Sequence, residues 1–133
     1  MKLKLAVCIL TQTLLIVLGC RQVPPVSESE VVGTYLLRDV FGTDRVTPNQ
    51  DGTFDETFTS SSGQVYRSSG QWTYEVTDGQ PWVTLNKAMV VSFGEREPPN
   101  RLRWTLKARR SGEDVVLDWG DPDRIVILRK QDP

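Results

Sequence analysis

From Glu30 onward, apolar and polar residues alternate in short runs, and no stretch holds a helical period for three turns. The stretch 101–109 is the clearest. Leu102, Trp104, Leu106 and Ala108 fall on one side of an extended chain, and Arg101, Arg103, Thr105, Lys107 and Arg109 on the other, because successive strand side chains point to opposite faces. A chain restricted to period two buries its apolar side only in a sheet packed on another layer or curled on itself. The runs are separated by clusters that turn a chain: Asn49-Gln50-Asp51-Gly52, Ser60-Ser61-Ser62-Gly63, Thr77-Asp78-Gly79-Gln80-Pro81, Ser111-Gly112-Glu113-Asp114 and Gly120-Asp121-Pro122-Asp123. Gly, Asn and Asp tolerate the positive φ that tight hairpin turns need.

Strands are predicted over 32–38, more weakly over 44–47, and over 53–59 with Phe54 and Phe58 on one face. Residues 64–67 and 71–76 read as one strand kinked at Ser68-Ser69-Gly70 or as two short ones, with Trp72, Tyr74 and Val76 sharing a face. Further strands follow over 82–93 (bent near Asn86-Lys87), 101–109, 115–119 and 124–130. The last is apolar on both faces, as expected of a strand covered on both sides or lying across a seam. About seven to nine strands at this spacing imply an all-β antiparallel meander curled into a small barrel, with a β-sandwich as the alternative.

The first 29 residues do not belong to this pattern. Met1-Lys2-Leu3-Lys4 is a short basic segment, and an apolar run over 5–18 ends at Val17-Leu18-Gly19-Cys20. The run is too short and too interrupted, at Thr11-Gln12-Thr13, for a membrane span of about 20 apolar residues. It resembles the signal peptide of bacterial lipoproteins, whose lipobox is an aliphatic residue, a tolerant position, a small residue and a cysteine. Leu18 stands where smaller residues are more usual. The resemblance implies cleavage after Gly19, a lipid anchor on Cys20 and a place in the bacterial cell envelope. With Arg21 rather than Asp after the cysteine, it implies the outer membrane, facing the periplasm, if the source is Gram-negative.

The expected organisation is therefore a signal peptide over 1–19, a lipidated N-terminus and flexible linker over 20–29, and a barrel domain over 30–133. The linker holds Pro24-Pro25 and two serines, and nine such residues reach at most roughly 30 Å. Loss of 1–19 leaves 114 of the 133 residues and takes Lys2 and Lys4, so 14 basic residues face 17 acids and the net charge is −3. A nucleic-acid partner is not expected of such a balance. Cys8 and Cys20 are the two cysteines, so the mature chain has no partner with which Cys20 could form an intramolecular disulfide, and modification explains it better.

Three short motifs extend a resemblance into the domain. Gly33 and Tyr35 in Val32-Gly33-Thr34-Tyr35, then Asp51, Gly52 and Phe54 in Asp51-Gly52-Thr53-Phe54, then Gly70 and Trp72 in Ser69-Gly70-Gln71-Trp72, are similar to the G-x-Y, D-G-T-F and G-x-W pattern of small lipocalin-like bacterial lipoproteins. The match covers mainly 31–76. It implies a lipocalin-like barrel and a non-enzymatic binding role, for a small apolar ligand or, alternatively, for an envelope protein. Fold alone does not choose between them.

Candidate sites follow from residue type. Tyr35, Phe54, Phe58, Trp72, Tyr74, Trp82, Trp104 and Trp119 could line an interior pocket. So many rings in an eight-stranded barrel favour a filled core, with a small pocket at one mouth as the alternative. Arg101, Arg103, Lys107 and Arg109 form a basic ridge, a candidate interaction face for phosphate headgroups or an acidic partner, against the plainer expectation of a solvated face. The carboxylates of Asp118, Asp121 and Asp123 are read as turn formers before cation ligands, and Thr47-x-Asn49-x-Asp51-Gly52 fails as a calcium loop because Phe58 stands where a bidentate Glu is needed. No metal or other cofactor is expected. The chain has no histidine, no G-x-S-x-G and no Ser-x-x-Lys, and spacing marks no carboxylate pair, so catalysis is not expected either.

Overall fold

A computed structural model describes residues 23–89, 101–120 and 126–133, with Arg101 by its backbone alone. The predicted signal peptide, Cys20, the last four residues of the strand predicted over 82–93 and the acidic residues Asp121 and Asp123 lie outside the described residues. A one-turn helix, α1 (Glu28–Val31), precedes eight strands: β1 (Tyr35–Asp39), β2 (Gly42–Pro48), β3 (Thr53–Ser60), β4 (Val65–Thr77), β5 (Gln80–Met89), β6 (Arg101–Ser111), β7 (Asp114–Asp118) and β8 (Ile127–Lys130). Each strand pairs with the next and β8 returns to β1, so the all-β meander closes as a barrel and not as a sandwich.

The predicted kink at Ser68-Ser69-Gly70 does not divide β4, which runs unbroken. Its first half pairs with β3 and its second with β5, the exchange falling at Gln71, which faces both Thr53 and Asn86. One long strand thus carries the stagger that a closed barrel requires. The bend expected in β5 is present as a bulge: register slips between Asn86 and Ala88, and Lys87 takes φ 73°. At the seam β8 meets β1 over two register pairs, Tyr35 with Lys130 and Leu36 with Arg129. Beside them lies an open groove of about 310 Å³ that includes Leu36, Arg38 and Ile127.

The interior is filled by side chains from all eight strands, among them Tyr35, Val46, Phe54, Trp72, Leu85, Trp104, Leu106, Leu117 and Leu128. One end, the base, carries the turns at 49–52, 78–79 and 112–113 together with α1. The other, the mouth, carries the turns at 40–41 and 61–64 and the point where β5 ends.

Candidate functional site

The motif residues meet at one corner of the base. Gly52 takes φ 83° in the turn before β3, where Asp51 Oδ1 accepts from the Thr53 amide at 2.9 Å. Trp72 donates from its backbone N–H to the Gly52 carbonyl and from Nε1 to the Asn49 carbonyl, both at 2.8 Å, so the indole holds the turn by its far side. Gly70 lies opposite Phe54, and a Cβ there would stand 2.0 Å from the Asn86 carbonyl oxygen and 2.9 Å from the Phe54 ring. Gly33 donates to the Pro48 carbonyl at 3.1 Å, and buried Tyr35 donates its hydroxyl to the Val31 carbonyl at 2.8 Å. These contacts are internal, and each has a structural purpose.

The stretch predicted as an extended linker is tied down from Pro24 onward. Val26 is 2% exposed, and its carbonyl accepts from the Tyr74 hydroxyl at 2.7 Å. Arg110 donates to the Pro24 carbonyl at 3.3 Å and pairs with Glu30 at 2.7 Å. The Glu30 carboxylate also accepts from the Ser27 amide and hydroxyl, each at 2.9 Å, which caps α1. The Ser27 amide, then the Arg110 guanidinium and the Ser27 hydroxyl, hold Glu30 down to about 2. Val26 and Val31 thereby close the base.

The basic ridge is divided. Arg103 is exposed and Lys107 half-buried, whereas Arg109 is engaged by Asp118 at 2.9 Å and Arg110 by Glu30. Among the predicted aromatics, Trp82 does not face the interior. It lies opposite Glu75 and Lys107 on the outer face, because its neighbour Val83 is the residue opposite Tyr74 and Leu106. Trp104 and Trp119 meet edge to face, with centroids 6.2 Å apart. Asp118 accepts from Arg109 and from the Gly120 amide, and among the described residues no set of three His, Cys, Asp or Glu could hold a metal.

What the sequence did not mark is a pair of acids inside the barrel. On β2 and β3, Asp44 faces Phe58 and Val46 faces Glu56, so Asp44 and Glu56 are diagonal neighbours on the inner face toward the mouth. They are 2% and 1% exposed. Oε2 of Glu56 accepts from the Met89 amide across the barrel at 2.6 Å, and Ser68, opposite Glu56 on β4, donates its hydroxyl to the Lys87 carbonyl at 2.7 Å. Two inward side chains thus hold the bulged end of β5. Neither oxygen of Asp44, nor Oε1 of Glu56, has a hydrogen-bond partner. With both carboxyls buried and diagonal to each other, ionising the two together would set like charges against each other in an apolar interior, which favours a retained proton. Burial raises both, Asp44 to about 7 and Glu56 to about 9, with the charge of Asp44 adding to the effect on Glu56. Phe58 stacks on Tyr66 beside the pair, with centroids 6.2 Å apart. The signal for Glu56 was its position midway between Phe54 and Phe58 in an alternating run.

No family model matches this chain, and no curated protein and no solved structure matches it.

Proposed function

We propose that the protein is a lipid-anchored lipoprotein of the bacterial cell envelope, lipocalin-like in fold, that works as a non-enzymatic binding module. The Val17-Leu18-Gly19-Cys20 spacing supports the anchor. The observation that carries the reading is the seal over the base by the segment directly after Cys20: Pro24, Val26 and Glu30 are bonded to the barrel, so the tether leaves from the closed end. The mouth is then the end turned away from the bilayer and available to a ligand. In a Gram-negative source the membrane is the outer one and the domain faces the periplasm. A small apolar ligand would be taken at the mouth, since rings and aliphatic side chains already fill the interior below it. An envelope protein as partner is favoured by the rim, where Val40, Val65 and Leu102 expose apolar side chains.

Radiolabelled palmitate fed to cells expressing the full chain tests the anchor. Label is expected in the wild type and absent from Cys20→Ala, which moves to the soluble fraction. Equal labelling of both chains overturns the anchor. Native mass spectrometry of detergent-extracted protein separates the two ligand classes, a retained small molecule supporting the first and a stoichiometric protein adduct the second.

A further inference from the structure

We propose that Asp44 and Glu56 form a proton-operated latch on the mouth of the barrel, closed while at least one of them keeps its proton and released when the second carboxyl ionises. The inference goes beyond the binding role and does not depend on the anchor. The interior around the pair holds no compensating cation among the described residues. From β1 it meets Leu37, and Asp39 contributes only further negative charge. From β3 and β4 come Phe58, Tyr66 and Ser68, and from β5 the Met89 amide. Asp39 is itself engaged, accepting from the Phe41 and Gly42 amides at 2.7 and 3.1 Å.

While one of the two keeps its proton, the pair carries at most a single negative charge. When hydroxide removes that proton to water, the O–H bond breaks and two carboxylates face each other in an apolar cavity. Mutual repulsion and lost hydration then act together. Either side chain gains by turning toward solvent at the mouth. If Glu56 turns, Met89 loses the acceptor of its amide, and the end of β5 is left with the Ser68 hydroxyl on Lys87. Lys87 already holds a left-handed conformation that a non-glycine residue adopts at a cost. The bulge is therefore where the barrel yields first.

The test uses the full chain in detergent micelles, ¹³C-labelled at Asp and Glu carboxyls and ¹⁵N-labelled at Met. One carboxyl resonance is expected to remain protonated at pH 7. The Met89 amide protection, corrected for intrinsic exchange, is expected to fall up to tenfold per pH unit once the second carboxyl titrates. Asp44→Asn/Glu56→Gln is expected to abolish that dependence. If every carboxyl is ionised by pH 6, or Met89 protection is flat from pH 5 to 10, the latch is refuted. The wild-type titration decides the matter even if the double variant does not fold.

Discussion

Glu56 occupies an inner-face position that the alternation of β3 assigns to an apolar side chain, and stability should register the cost of ionising it. Unfolded, Asp44 and Glu56 titrate in the ordinary carboxylate range; folded, they hold protons up to about 7 and about 9. Between those limits the folded chain binds more protons than the unfolded one. The stability they contribute is full below the ordinary range and lost as pH rises through 7 toward 9, at about 1.4 kcal/mol per pH unit for each proton retained. Glu30 acts in the opposite sense, its contribution present above the ordinary value and lost as pH falls toward about 2. The urea midpoint is expected to be highest at mildly acid pH and to fall from there to pH 9, with the fall largely removed in Asp44→Asn/Glu56→Gln. Gly70→Ala is a second expectation: the new methyl meets the Asn86 carbonyl and the Phe54 ring, and denaturant titration should show a loss of about 1–3 kcal/mol. The position of Glu56 was legible from the alternation, but its partner was not. That pairing depends on how β2 lies against β3, and a one-residue slip would have put the two carboxyls on opposite faces of the sheet.

At the scale of the element, the strands were the legible part, because period two and the turn clusters are local properties. The bend in β5 was visible as well. Trp82 was misread because Trp82 and Val83 are both apolar, and only the register with β4 and β6 decides which of them enters the core. The sealed base was illegible for another reason. Two prolines and two serines describe a solvated tether by composition, while the contacts that override them reach Tyr74, 48 positions from Val26, and Arg110, 86 from Pro24. Tyr74→Phe removes the hydroxyl bond to Val26 and is expected to cost about 1 kcal/mol. Val26→Asp, which puts a charge under the barrel, should do more and expose the segment before α1 to limited proteolysis while the strands survive. Rates of cleavage at Glu28 and Glu30 by a glutamate-specific protease measure both.

For the whole molecule, the base seal would set an orientation on a membrane under the proposed Cys20 anchor. Pro24 lies four residues beyond Cys20, a reach of about 14 Å, and the barrel stands roughly 25 Å tall for strands of this length and tilt. A fluorophore at Glu113, in a turn of the base, is expected to be strongly quenched by a headgroup-borne quencher in reconstituted vesicles, and one at Val40 at the mouth weakly. Equal quenching would mean that the barrel lies on its side. The seam carries a consequence of a different kind. β1 is the first strand made and its partner β8 the last, with Tyr35 and Lys130 separated by 95 positions. A cylinder whose first stave must await its last cannot be completed while the ribosome is still working on the chain between them. Until β8 is made, β1 has a free edge, so closure of the barrel is the last step of folding.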